Sequence, residues 1–425
     1  MKIARWTRSL IGPIAAVLLF AVSATSTWAD AEIAKLLASD GGPGDNLAWR
    51  VGLAIDGDTL LVGGSGFSGN PGRAYIFQRD VGGPDNWGEV VKLVPLGPSQ
   101  YLGNYVAIDG DTAVVGARET FGPFTHTGRA YIFERDQGGA DNWGQIKELV
   151  SPTPATGGFF GQSVAVSGNW AFVGQDGPLP NYGRVFVFER DNGGPDNWGH
   201  VTTISNPDPA GNDQFDLSLS AHGDTLVVGA PGDDNANGLN AGAAYVFQKD
   251  QGGVNNWGLV KKLLASDGQP GDRLTFIGAA AVDGDTIVLG ACGDLTNVGG
   301  STAGLAGCHS VTGQPGKAYV FERDAGGADN WGEVAILTAS DAAAGDQFGI
   351  HGVAIDGDRV VVGAPSDDPG GSLYVFDRNA GGPAMWGEIA KFVPSDVATG
   401  DNHGNTVAID GLTIAGGSPF DDDLG

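Results

Sequence analysis

The densest set of oxygen ligands in the sequence is DDNANG at 233–238. Asp233, Asn235 and Asn237 stand at i, i+2 and i+4 before Gly238. That is the spacing of the first half of a calcium loop, where alternate side chains turn toward one ion. The closing acid is missing, because Ala241 stands three residues after the glycine. A calcium site and a solvated polar turn are both open, and the missing acid favours the turn. Asp367-Asp368 and Asp421-Asp422-Asp423 are further acidic groups in comparable surroundings.

Other chemistry is sparse. The two cysteines, Cys292 and Cys308, lie within one glycine-rich stretch, CGDLTNVGGSTAGLAGCHS. In an exported chain such a pair reads as a disulfide, which at this separation would contribute roughly 3 kcal/mol by loop entropy. No HExxH, GxSxG or CxxC occurs, and the six histidines show no metal-ligand spacing. GSGFSG (64–69) has the form GxGxxG, but no helix pattern follows to aim its N-terminus at a phosphate. No catalytic residue is assigned.

The N-terminus carries Lys2, Arg5 and Arg8, then an apolar run from Leu10 to Val22, then Thr27-Trp28-Ala29. Basic head, short apolar middle and small residues read as a secretory signal peptide over 1–29. The run is shorter than the ~20 residues a membrane-spanning helix needs. Removing it leaves 20 basic against 50 acidic residues, a net charge of −30. Such a surface repels phosphate backbones, so nucleic acid is not an expected partner.

The elements that would position these residues repeat. RDVGGPDNWG (79–88) returns five times with small changes, and its tryptophans are Trp87, Trp143, Trp198, Trp257, Trp331 and Trp386. They are 56, 55, 59, 74 and 55 residues apart, so one structural unit recurs. Within each unit, short β-branched runs flank a turn, as in VAIDGDTAVVGA (106–117). The pair is Asp-Gly at 56, 109, 283, 356 and 410, with Ser167-Gly168 and His222-Gly223 as variants. Asp-Gly predicts a two-residue type I′ hairpin turn. An aromatic strand follows, such as RAYIF (73–77) or KAYVF (317–321), then the tryptophan motif, then a strand such as GEVVKLV (88–94).

Four strands in 50–60 residues, seven times over, predict an all-β, seven-bladed propeller of four-stranded antiparallel blades over residues 30–425. EIAKLLASD (32–40) matches fourth strands such as KKLLASD (261–267) but precedes the first unit, so it is expected to close the last blade. The last unit supplies VAIDGLTIAGGSPFDDD (407–423) and no aromatic strand after it. The seventh blade is therefore expected to lack its third strand, in a chain truncated at its C-terminus. The tryptophan motif reads as architecture: Gly-Gly and Asp-Asn turn the chain between strands three and four. The tryptophan folds over that hairpin, its N–H bound to a nearby carbonyl.

The unit resembles the FG-GAP repeat of integrin α-subunit propellers and many exported bacterial proteins. Phe-Gly stands at Phe160-Gly161 and Phe348-Gly349, with Leu102-Gly103 as a variant. Gly-Ala-Pro stands at Gly229-Ala230-Pro231 and Gly363-Ala364-Pro365, with Gly116-Ala117-Arg118, Gly290-Ala291-Cys292 and Gly417-Ser418-Pro419 as variants. In integrin-type repeats a DxDxDGxxD calcium loop lies between the two signatures. Here a tight turn such as IDGDTL (55–60) takes its place, so the family's cation sites do not carry over. The short form is similar to the bacterial repeats, which implies a secreted or cell-surface protein.

The function expected is binding or adhesion to an extracellular protein or glycan by a monomer with no required cofactor. Variable loops on a rigid scaffold carry recognition. The loops between strands two and three hold Asp233, Asp234, Asn235, Asn237, Asp367 and Asp368, and beside them stands the disulfide-stapled insertion. Calcium at Asp233, Asn235 and Asn237 remains open. The alternatives are a hydrolase or lyase acting on extracellular polysaccharide, with two carboxylates converging across blades, and a structural segment of a larger surface protein.

Overall fold

The computed structural model describes residues 16–21, 31–42, 45–64, 72–97, 100–119, 126–177, 183–293 and 314–421. They form seven four-stranded antiparallel sheets. Blade 1 runs from Leu53–Asp56 to Gly88–Leu93, and blade 6 from Val353–Asp356 to Gly387–Phe392. In blades 1 to 6 the strands follow in chain order from the centre outward. The second and third strands are buried on both faces, because neighbouring blades cover them.

Blade 7 corrects the expected gap. Val407–Asp410 and Thr413–Ser418 are its first two strands, Ala31–Leu36 is its fourth, and Ala16–Ala21 fills the third place between them. The described part of the run read as the apolar middle of a leader, 16–21, is thus a strand here. A continuous apolar run suits a strand buried on both faces as well as it suits a leader. Val17 and Leu19 face one neighbouring core, and Leu18 and Phe20 the other. A mature chain beginning at Asp30 would not carry that strand. Residues 1–15 and 22–30 lie outside the described residues.

The hairpin turns also differ from expectation. Asp56 pairs with Thr59, so the two central residues are Gly57 and Asp58. Only the glycine takes a positive φ, at 55°, which is the pattern of a type II′ turn. The same holds at Gly110 and Gly357. The aspartate, being in the ladder, is left free to use its carboxylate between blades.

The two repeat signatures have a steric basis. A Cβ on Gly363 would lie 2.0 Å from the Gly404 carbonyl oxygen, and one on Gly290 would lie 2.0 Å from that of Gly349. Glycine at the end of one blade's second strand thus meets the Phe-Gly segment of the next. A methyl group there would push the blades apart.

Candidate functional site

The tryptophan motif is a blade-to-blade tie. Asp80 Oδ1 accepts the Asp85 amide at 2.6 Å, and the Asn86 amide donates to the Val81 carbonyl at 2.6 Å, closing the turn. Trp198 is 1% exposed, and the Arg190 guanidinium carbon lies 4.9 Å from its ring centroid. Arg79, Arg135, Arg323 and Arg378 cover their tryptophans in the same way. Each arginine also reaches back to the preceding blade's second strand: Arg135 Nη2 donates to Thr59 at 2.7 Å, and Arg378 Nη2 to Thr286 at 2.8 Å. Where blade 3 has Trp170 instead of threonine, blade 4 has Lys249 instead of arginine. The ammonium then lies 5.5 Å from the Trp170 ring centroid. One expectation fails: the indole N–H groups of Trp87, Trp143, Trp198, Trp257 and Trp386 are buried without a hydrogen-bond partner. The cation over the ring face holds Trp87, Trp143, Trp198 and Trp386 instead, and edge-to-face contacts with Trp170 and Phe172 hold Trp257.

At the turn end of the channel, a recess of about 390 Å³ is lined by Asp56, Asp109, Ser167, His222, Asp283, Asp356 and Asp410. These groups are already engaged. Asp56 accepts the Gly110 amide at 2.5 Å, Asp283 that of Gly357 at 2.6 Å, and Asp356 that of Gly411 at 2.6 Å. His222 Nδ1 lies 2.9 Å from Asp283 Oδ1. Burial, followed by the charges of Asp356, Asp56 and Asp58, raises the Asp410 pKa, although the Gly57 amide opposes this. The ring of acids stitches the blades together.

The residues singled out in the strand two–three loops divide. Asp233 is buried, and it accepts the Tyr245 hydroxyl at 2.7 Å and the Lys262 ammonium at 2.9 Å. Asp367 is its counterpart in blade 6, accepting the Ser372 hydroxyl, the Tyr374 hydroxyl at 3.3 Å and the Lys391 ammonium at 2.6 Å. Burial works against the Lys391 charge, but hydrogen bonds to Asp341 and Asp367 prevail and hold its pKa well above the ordinary value. The Asn235 amide nitrogen points at the Gly242 carbonyl (2.9 Å) and at Asp233 Oδ1 (3.2 Å), and that of Asn237 at the Ala265 carbonyl (2.7 Å). The three calcium candidates thus tie the loop to itself and to the strands beside it. No group of three His, Cys, Asp or Glu among the described residues is placed to hold a metal ion. Asp234 and Asp368 are exposed on the rim. Cys292 is buried, its sulfur 3.3 Å from the Asp272 carbonyl oxygen. Cys308, most of the insertion, most of GSGFSG, Asp422 and Asp423 lie outside the described residues.

The same loop end holds a cavity that no motif announced. It measures about 260 Å³ and is lined by Trp49, Arg50, Ile277, Gln347, His351, Ser366, Asn402, Asn405 and Phe420. Blades 1, 5, 6 and 7 all contribute. The segments after the Phe-Gly positions supply most of the lining, and the strand two–three loops add Ser366 and Phe420, next to Asp367 and Asp421. The Trp49 and Phe420 rings meet edge to face at 5.7 Å, and the Arg50 guanidinium carbon lies 5.7 Å from the Trp49 ring centroid. Asn405 Oδ1 accepts the Arg50 amide at 3.0 Å, while Arg50 Nη1 lies 3.4 Å from the Tyr105 hydroxyl. Arg50, Gln347 and Asn402 adopt positive φ values of 61°, 61° and 56°. The left-handed turn at Gln347 and Asn402 belongs to the repeat, because Asn46, Tyr101, Phe159, Gln214 and Arg273 adopt it at the same place in the other blades. An aromatic wall beside guanidinium, imidazole and amide groups suits a small polar ligand with hydroxyl or carboxylate groups.

The sequence model of the FG-GAP repeat matches residues 31–77, 87–133, 198–247, 257–306, 331–376 and 386–425. No curated protein matches the chain. Among solved structures, hydrazine synthase of Kuenenia stuttgartiensis is 13% identical with a TM-score of 0.51, over 88% of this chain and 93% of that one. Sqt1 of Chaetomium thermophilum is 15% identical with a TM-score of 0.43, over 77% of this chain and 69% of that one. The β-propeller domain of the trilobed protease of Pyrococcus furiosus is 11% identical with a TM-score of 0.42, over 84% and 85%. Identities this low speak to the fold alone.

Proposed function

The chain belongs to the FG-GAP repeat family, and we propose that it is an extracellular binding module whose ligand enters the loop-end cavity. The observation that carries this reading is the convergence of Trp49, Arg50, Gln347, His351, Asn402, Asn405 and Phe420 from separate blades on one recess. The ligand class proposed is an extracellular glycan, or a protein presenting a polar side chain. The cavity has room for a single sugar ring, which an aromatic wall and amide groups can hold. Its lining carries no paired carboxylates, which favours recognition over glycoside hydrolysis.

Export is part of this proposal and rests on the basic and apolar N-terminus and on the family. No helix among the described residues is long and apolar enough to cross a membrane. Exposed Asp234 and Asp368 would meet the partner at the rim, and a Cys292–Cys308 disulfide would steady the insertion beside it. Calcium is an arm of the test. The full chain is applied to immobilised glycans and matrix proteins, with calcium and with chelator. Saturable binding lost in Trp49→Ala and Asn402→Ala supports the cavity, and loss with chelator adds a metal to the reading. Binding unaffected by both changes would place recognition elsewhere.

A further inference from the structure

The strand in the third place of blade 7 occupies the same register as its counterparts but lacks a tyrosine that five of the six carry, blade 3 having Phe186 there. In blade 6, Leu373, Tyr374, Val375 and Phe376 pair with Phe392, Lys391, Ala390 and Glu388, with a register shift between Val375 and Phe376. In blade 7, Val17, Leu18, Leu19 and Phe20 pair with Leu36, Lys35, Ala34 and Glu32, with the shift at the same point. Leu18 therefore stands where Tyr75, Tyr131, Tyr245, Tyr319 and Tyr374 stand in other blades. Phe20 takes the Phe376 place, with its ring 5.6 Å from His403 at the Phe-Gly position and 5.0 Å from Phe392.

The acceptor for the missing hydroxyl is nonetheless present. Tyr374 donates to Asp341 at 2.8 Å, and Lys391 bridges Asp341 (2.7 Å) and Asp367 (2.6 Å). Blade 7 repeats this arrangement, with Lys35 bridging Asp396 (2.6 Å) and Asp421 (2.7 Å), but Leu18 has no hydroxyl to add. The outer edge of the place is likewise complete: the Ser395 amide donates to Glu32 as the Ser340 amide donates to Glu388. Every partner that a tyrosine-bearing strand needs is therefore in position.

We propose that the third-strand place of blade 7 is an acceptor for an extended segment of the repeat's own Ala-Tyr-Val-Phe type, presented by a partner chain, and that Ala16–Ala21 is a tyrosine-free stand-in. Strand addition of this kind draws affinity from main-chain hydrogen bonds and specificity from alternate side chains. Val17, Leu18, Leu19 and Phe20 are all at most 1% exposed, so the place excludes water when filled. If export removes the leader, Ala16–Ala21 leaves the place with it; that clause alone rests on the proposed export.

The probe is a labelled peptide with the sequence of residues 316–325, GKAYVFERDA. The full chain carrying Leu18→Pro, which cannot keep its ladder bonds, should bind it saturably. The unaltered chain should take it up more weakly. A peptide with phenylalanine for tyrosine should bind roughly tenfold less tightly, because a hydrogen bond to a charged group is lost. Equal binding by both chains, or by both peptides, overturns the proposal. So does self-association of the variant without peptide uptake, which would make a second copy the occupant. A second route does not depend on emptying the place: Leu18→Tyr should raise the melting temperature, and Asp396→Asn should cancel most of that gain. No gain, or a gain indifferent to Asp396, overturns the tyrosine recognition.

Discussion

The two ends of the ring are built from the same seven units but differ in how faithfully they repeat. At the turn end, a side chain from one blade's hairpin meets the next blade's turn, and an arginine from five of the six motifs reaches the preceding blade's threonine. Where one partner changes, the other changes with it, as Trp170 and Lys249 do. At the loop end the corresponding positions carry Trp49, Gln347, His351, Asn402 and Asn405, which differ from blade to blade and line a recess. Repetition marks contacts that every blade needs in order to pack. Departure from the repeat marks positions released from that need.

The comparison can be broken most severely at the turn end. Trp198→Ala removes a buried indole and leaves Arg190 with no ring beneath it, and should cost about 3–5 kcal/mol, read as a fall in denaturant midpoint. Loop-end binding should survive in the fraction that remains folded. Asp367→Ala sharpens the contrast within one loop. It strips Lys391 and Tyr374 of a buried partner and should cost about 2 kcal/mol, whereas Asp368→Ala, one residue on, should leave the melting temperature unchanged. Equal effects from the two would dissolve the division between buried and rim aspartates.

His403 tests the boundary between the ends. Burial depresses its pKa to about 3, and its Nδ1 lies 2.9 Å from the Ser418 hydroxyl. The unfolded chain takes up a proton near pH 6.5 that the folded chain refuses. The stability linked to this group is therefore full above pH 6.5 and falls on acidification toward pH 3. His403→Phe, which restores the residue type found at Phe160 and Phe348, removes that loss. The difference in stability between variant and parent should move in the variant's favour from pH 7.5 to pH 4.5. A pH-independent difference would mean that the imidazole can be protonated in place. Small effects on stability are also expected of Trp49→Ala and Asn402→Ala, partly exposed side chains whose loss should cost about 1 kcal/mol or less.

What the sequence reveals follows the same division. Alternation, turn glycines and the six tryptophans predict seven blades, and EIAKLLASD is found where its likeness to KKLLASD places it. The turn type is misread because Asp-Gly has one geometry when both residues are central and another when the aspartate belongs to the ladder. The Ala16–Ala21 strand is missed because an apolar run buried on both faces has the composition of a leader. Asp233 looks like a ligand by spacing and Asp367 by its place in a comparable loop, yet their tyrosine and lysine partners lie on other strands and become visible only once the blades are assembled. The cavity leaves no local motif, since its residues come from blades far apart in sequence. The available signal is negative: just after Phe-Gly, where Trp49-Arg50, Ile350-His351 and Asn405 stand in different units, the repeats stop agreeing.

The most direct measurement is a binding isotherm of the full chain on whichever glycan or matrix protein retains it, run beside Asn402→Ala at the loop end and Asp109→Ala at the turn end. Asp109 receives the Gly168 amide at 2.5 Å. The account predicts that Asn402→Ala weakens binding with its melting temperature intact, and that Asp109→Ala lowers the melting temperature with affinity intact. The reverse pattern, with affinity following Asp109 and indifferent to Asn402, would contradict it and move recognition to the acidic ring.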